Sequence, residues 1–269
     1  MTNRVSGHFG EWLQGRLGSD GPVVLVTLPC DAIGVEVSRV DGGDFQIASA
    51  KPVLALDRAS AFLEALGKEP RGRFEFHSDV PPGGGAGVST ASLLALAQAA
   101  GVVATPDVLA NACLQIEGAV DPLMLASPGA CLWSSREARE VEVFGQTPTA
   151  EIVGGFWGAP ERTVPEDSSF PDISDLLDPW REAVQNQDLA RAASLASASA
   201  TRTSRLRGPE GDPTTELVDC FGALGFQRAH TGSARGLIFE PGNVPDGVED
   251  ALRAAGYANV VRFQTGDTA

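Results

Sequence analysis

The stretch "DVPPGGGAGVSTASLLALAQAAG", residues 79–101, decides how the rest of the chain is read. Gly83, Gly84, Gly85 and Gly87 give the backbone access to positive φ and let it approach a ligand closely. The alanine and leucine pattern that follows predicts a helix over 89–100, whose first N–H groups lack intrahelical partners and carry the positive dipole end. Loop and helix start together make a main-chain anion site, which the hydroxyls of Ser89, Thr90 and Ser92 can extend. The alternative is a flexible strand-to-helix connector in which Ser89 only caps the helix. No Lys-Ser or Lys-Thr pair follows the glycines, and no Gly-x-Gly-x-x-Gly with a distal acid is present, so neither a Walker A loop nor a dinucleotide fingerprint is read here.

Before this loop the chain is strand-rich. "PVVLVTL" (22–28) and "AIGVEV" (32–37) predict two strands split by a turn at Pro29-Cys30-Asp31; "FQIAS" (45–49) and "RFEFHS" (73–78) predict two more around a helix at 58–66. After it, Thr105 and Pro106 open a helix that ends near Gly118. Strands are expected at 139–144, 150–156 and 236–240, with helices at 176–185, 188–200 and 214–225, and "VEDALRAAG" and "ANVVRF" close the chain as helix and strand. An acidic connector at 164–175 lies between, and a boundary near 145 divides the chain into 1–145 and 146–269. This irregular mixture predicts an α+β architecture.

The 269 residues carry 20 Lys+Arg against 35 Asp+Glu, a formal charge of -15 that repels phosphate backbones and anionic headgroups, so neither nucleic acid nor membrane is expected as a partner. No apolar run reaches the roughly 20 residues of a bilayer span, and "MTNRVSGHFGEW" lacks the apolar stretch of a signal peptide, so a cytoplasmic protein is expected. Cys30, Cys113, Cys131 and Cys220 form no CxxC pair and read as buried thiols.

"PPGGGAGVSTAS" (81–92) resembles the second motif of the GHMP kinases, and its "VSTAS" is similar to the "SSTAD" form of the L-threonine kinases of propanediol utilisation and cobalamin biosynthesis. "GHFGEWLQG" (7–15) resembles their "SCGELIQG" at Gly10, Glu11, Leu13, Gln14 and Gly15, and "LVTLPCD" (25–31) resembles "LVTCPI". "IEGAVDPLM" (116–124) falls where these kinases carry Glu-Pro-Thr-Asp, with one extra residue between its acids, and "RAHTGSARGLIF" (228–239) is similar to their third motif. The resemblance implies a two-lobed fold, with a ribosomal protein S5 domain 2-like N-terminal lobe and a ferredoxin-like C-terminal lobe. It also implies ATP as donor, Mg²⁺ as cofactor and L-threonine or a related small alcohol as acceptor, with a homodimer compatible.

Under that resemblance the phosphate cradle runs from Pro82 through Gly83, Gly84, Gly85, Ala86, Gly87 and Val88 to Ser89 and Thr90. Ser89 and Glu117 are the Mg²⁺ ligands, and Asp121 is the base or orienting acceptor, with Glu11 also assigned to catalysis. Glu11, Gln14, Thr27, Asp31, His230, Thr231 and Gly232 are the substrate contacts. Taken alone, Glu117 and Asp121 read as a solvated helix terminus, Thr27 equally as an ordinary strand residue, residues 230–233 equally as a tight turn, and His8 as a polar pocket wall or a structural histidine. "VGGFWGAP" (153–160) reads as a lid, a pocket wall or a packed aromatic turn. Val88 replaces the first loop serine, Ser92 replaces an acid and Leu28 replaces a cysteine. These departures keep open a second function, a non-catalytic nucleotide- or metabolite-binding protein with the kinase fold.

Overall fold

β-Branched residues dominate "VVLVTLPCDAIGVEVSRV", and in the computed structural model, which describes residues 2–40, 42–161 and 163–266, they form one strand, β2 (Val23–Val40). The expected turn at Pro29-Cys30-Asp31 is absent. The preceding segment, β1 (Thr2–Arg16), pairs antiparallel with β2 along its length and carries the strand past the proline. Opposite Pro29 sits His8, whose N–H donates to Ala86 O at 3.2 Å, outside the ladder.

β3 (Gln46–Ser49), α1 (Leu56–Ala65), β4 (Arg73–Ser78), α2 (Val88–Ala99) and α3 (Pro106–Glu117) follow as the sequence predicts. Beyond them come β5 (Cys131–Ser134), which the sequence reading lacks, β6 (Arg139–Val143) and β7 (Glu151–Phe156). The later elements are α4 (Ser174–Gln185), α5 (Leu189–Arg207), α6 (Thr214–Phe221), β8 (Gly225–Arg228), β9 (Ala234–Phe239), α7 (Val248–Ala254) and β10 (Ala258–Gln264). α5 runs seven residues past its expected end at 200, and α6 stops at Phe221 because the chain beyond Gly222 becomes β8.

Among the described residues ten strands form a single sheet in the order β10-β7-β9-β8-β1-β2-β4-β3, with the β5/β6 hairpin branching from β2. All pairings are antiparallel except β3 with β4. α2 is apolar around its circumference, nine of its twelve residues are buried, and it packs on β1 and β2. α5 packs on β1 and β8 and is covered by α4. Phe9 sits edge-on to Phe156 and Phe263, and Trp12 packs on Trp180, so β1 is lined on its buried sides by residues from the second half of the chain. Cys30, Cys113 and Cys131 are buried free thiols, whereas Cys220 is exposed near the end of α6, against the expectation for it. Among the described residues no helix is long and apolar enough to cross a membrane.

Candidate functional site

The glycine run leads into α2 with Gly87 as N-cap at φ 66°, and no side chain caps the helix. The first-turn N–H groups therefore stay available to an outside acceptor. Four hydrogen bonds to three carbonyls hold the loop in shape. Gly84 O accepts from the N–H groups of Ser233 and Ala234, Gly83 O accepts from Glu161 N–H, and Ala86 O accepts from His8 N–H. Gly85 adopts φ 76°, and a Cβ there would lie 2.3 Å from both Ala229 Cβ and Thr231 O, so no other residue fits. Pro82, Gly83, Gly85, Ala86, Gly87, Val88, Ser89 and Thr90 line one open cleft; Gly84 does not, because it packs against the Phe156 ring. Ser92 also turns away, donating to Val88 O within its own helix.

A strand bulge brings two further groups to this cleft. Residues three apart on a regular strand face opposite sides, yet His8 and Glu11 both line the cleft. The register shows why: His8 pairs with Pro29 and Glu11 with Thr27, so β1 spends one extra residue between them. Gly10 takes the bulge at φ 71°, where a Cβ would strike Gln227 and Arg228. His8 Nε2 then lies 3.3 Å from Asp121 Oδ2, and His8 Nδ1 lies 3.7 Å from Glu11 Oε1. Burial works against a charge on His8, but Asp121 and Glu11 together outweigh it and raise its pKa to about 9. Burial likewise works against Asp121 ionising, and the His8 charge and hydrogen bond hold its carboxyl below the usual range. Glu11, buried and anchored by His230 N–H at 2.6 Å, is pushed up to about 8 by burial.

α3 ends at Gly118 in the left-handed conformation, so Glu117 is its last residue and Asp121 follows a turn, not a further helical turn. Glu117 points back to α2: Ser89 Oγ donates to Oε1, and Thr90 Oγ1 donates to Oε2 at 3.0 Å. Burial pushes the Glu117 carboxyl up to about 7, against those hydrogen bonds. Ser89 and Glu117 thus present touching hard oxygens, the donor chemistry that suits Mg²⁺. Among the described residues no group of three or more His, Cys, Asp or Glu forms a metal cluster, so a cation held here would need phosphate or water oxygens to complete its shell. Arg58, on α1, stands 3.8 Å from Glu117 Oε1 at the cleft edge.

The remaining wall comes from the second half of the chain and from the segment after β5. His230, Thr231, Thr163, Glu161, Ser135 and Arg136 line it. Thr163 Oγ1 and Thr231 Oγ1 share a hydrogen bond of 2.8 Å, and the His230 ring stacks on Phe170 at 4.0 Å between centroids. Burial lowers the His230 pKa to about 3, so its imidazole is neutral.

Four expected substrate contacts lie elsewhere. Gln14 is buried, donating from its side chain to Arg228 O and from its backbone to Ser199 Oγ. Thr27 is fully buried across from Glu11 and does not reach the cleft. Asp31 is exposed beyond the strand's proline, where its carbonyl accepts from Arg4. Gly232 sits behind the loop, with space for no Cβ against Gly84 and Gly85. The aromatic pair of 153–160 is packed and forms no free lid: Phe156 is buried against Phe9, and Trp157 Nε1 donates to Ala255 O. His8, Arg58, Ser135, Arg136 and Thr163 were not assigned from the sequence. His8 had the one available signal, its place beside the motif glycine, but its partner Asp121 is remote in the chain.

No family profile matches the chain, and no curated protein matches it. Solved structures do share its fold over nearly the whole length. Mevalonate kinase from L. major, solved in complex with R-mevalonate, aligns at TM-score 0.66 and 14% identity, covering 100% of this chain and 97% of that one. Phosphomevalonate kinase from Streptococcus pneumoniae aligns at 0.64 and 11%, covering 98% of each. A 4-(cytidine 5'-diphospho)-2C-methyl-D-erythritol kinase aligns at 0.64 and 22%, covering 99% of this chain and 100% of that one. The chain has the mixed α+β fold of the GHMP kinases.

Proposed function

We propose that the chain is an ATP-dependent small-molecule kinase that phosphorylates a hydroxyl of a small acceptor. One observation carries this reading: the uncapped start of α2, the Ser89–Glu117 oxygen pair and the His8-bound Asp121 all open into one cleft. L-threonine or a related hydroxy amino acid is the leading acceptor, with a product destined for the aminopropanol arm of cobalamin; the motifs at 7–15, 25–31 and 81–92 support that choice. The solved structures of the same fold carry the names of kinases. In this reading residues 1–145 form the lobe that supplies the cradle, and 146–269 form the lobe that closes the acceptor side.

Phosphoryl transfer depends on positioning and charge neutralisation, and each demand has a group here. Main-chain N–H groups over 85–90 donate to phosphate oxygens at the helix dipole's positive end. Ser89 and Glu117 would hold Mg²⁺, which supplies neutralisation of the phosphate charge when bound. Asp121, kept ionised by His8, accepts the acceptor's hydroxyl hydrogen bond and aims its oxygen at the terminal phosphorus. The acceptor O–P bond forms as the bond to the ADP oxygen breaks, and the hydroxyl proton passes to Asp121. A carboxylate with a lowered pKa is a weak base, which fits a loose transition state that asks for orientation more than deprotonation. Glu11 fixes His8 and the His230 backbone and is a positioning residue.

The test is ADP formation by purified protein with ATP, Mg²⁺ and a panel of hydroxy amino acids and small alcohols. Turnover with one acceptor supports the kinase. The second reading, a binding protein without turnover, is favoured by Val88, an apolar cleft-lining residue where the resembling motif has serine. Nucleotide binding with no ADP from any acceptor would move the assignment there.

A further inference from the structure

We infer that Ser135, Arg136 and His230 form a carboxylate-binding subsite beside Asp121, which makes the acceptor a hydroxy acid. The inference rests on the kinase reading only in placing the acceptor hydroxyl at Asp121. All three residues line the cleft, and Ser135 Oγ, Arg136 Nε and both His230 ring nitrogens have no hydrogen-bond partner among the described residues. Ser135 is 2% exposed and His230 6%. The large majority of buried polar groups in folded proteins are paired, and four unpaired atoms gathered on residues of one cleft point to a ligand that pairs them.

The three are held close to the reacting centre. Val120 N–H donates to Ser135 O at 2.9 Å, which lays Ser135 and Arg136 alongside the turn that ends in Asp121. Arg136 Nη2 is tied to Val164 O at 3.3 Å. His230 is anchored through its N–H to Glu11 and through its ring to Phe170. A hydroxyl, a guanidinium Nε–H and one N–H of a neutral imidazole are three donors, and a carboxylate offers about four acceptor sites. Small side-chain rotations of the kind common on binding bring them onto the ligand.

Charge disfavours a dianion. Around His230, Arg136 and Arg207 are offset by Asp121 and Asp167, so no large positive excess awaits a phosphorylated acceptor with its charge of about −1.5 to −2.

Calorimetric titration of the full chain without nucleotide tests this, using L-threonine and L-homoserine against the amino alcohols made by reducing each carboxyl, and R-mevalonate against its triol. The acid of at least one pair binds about 10- to 100-fold more tightly than its alcohol, the value of hydrogen bonds to a charged group. Arg136→Gln removes that preference and leaves ATP affinity unchanged. Ser135→Ala weakens acid binding without lowering the melting temperature of the free protein, because it deletes an unpaired buried hydroxyl. Equal binding of acid and alcohol in every pair, no binding by any acid, or a preference that survives in Arg136→Gln overturns the subsite. ADP formation separates this failure from that of the kinase reading: turnover of neutral alcohols alone sinks the subsite and keeps the kinase, whereas acid-selective binding with no ADP does the reverse.

Discussion

His8 Nε2 meets Asp121 Oδ2 at 3.3 Å, joining a bulge in the first strand to the turn after α3. His8 is 2% exposed and the Asp121 side chain 27%, so the pair is buried on the histidine side and open on the other, and its loss takes from Asp121 its nearest counter-charge. Breaking one side of a fully buried pair costs about 3–5 kcal/mol, and solvent at Asp121 brings this one to the lower end of that range or below it. His8→Gln is therefore expected to lower unfolding free energy by that order near pH 6.5 and to cut turnover far more than ATP affinity, as read by urea unfolding and steady-state kinetics.

The pH dependence follows from the direction of each shift. His8 is raised from 6.5 to about 9, so its contribution is complete below pH 6.5 and is lost as pH rises through 9. Glu11, raised from 4.5 to about 8, is favoured neutral in the folded protein, so the cost of ionising it there removes stability as pH rises from about 4.5 to about 8. Asp121 is lowered, so its share is present above about pH 4 and disappears on acidification. Urea unfolding at a series of pH values should show the free protein weaken between pH 6.5 and 9, with the penalty of His8→Gln shrinking over that interval. A penalty independent of pH would contradict the ion pair.

Gly85→Ala tests the cradle. At φ 76° a side chain is strained by about 1–2 kcal/mol, and its Cβ would collide with Ala229 and Thr231, so the loop must move off the turn that holds it. The expected outcome is a folded protein, by circular dichroism, whose nucleotide affinity falls by about 100-fold or more, the loss of two or more main-chain bonds to a charged phosphate. Unchanged affinity would place the nucleotide elsewhere.

Much of this cradle was legible because its determinants are local. Four glycines and a following alanine-leucine run specify a loop and a helix without help from distant residues, and Thr105-Pro106 and Gly118 mark the ends of α3 in the same way. β1 was harder to read, since its side-chain alternation is interrupted by register shifts after Ser6, His8 and Glu11. Those same shifts decide which polar residues face the cleft: Glu11 lines it, whereas Gln14 turns into the core and donates to Arg228 O. Asp31 lies on an exposed stretch because β2 runs on through Pro29, a continuation the proline hides in the sequence. Arg136 and Ser135 follow β5, a four-residue strand too short to register in the sequence, and they enter the site only through the fold.

Ser89→Ala and Glu117→Gln address the cation. The first removes one of two touching oxygens and the second removes the carboxylate charge, so Mg²⁺ should no longer add to the thermal stabilisation that ATP gives, while ATP alone still stabilises. For the intact protein, ATP with Mg²⁺ at about 100 times the dissociation constant should add about 2.7 kcal/mol. Retention of the full Mg²⁺ increment in both variants would remove these residues from the metal's shell.

The most direct test of the account is ADP release with an accepted hydroxy acid, compared between the intact protein and Asp121→Asn. Loss of an orienting and proton-accepting group is worth about 10²- to 10⁴-fold, so turnover should fall by that factor while ATP and acceptor still bind. Turnover that survives in Asp121→Asn, or intact protein that never forms ADP with any acceptor, would contradict the assignment of this cleft to phosphoryl transfer.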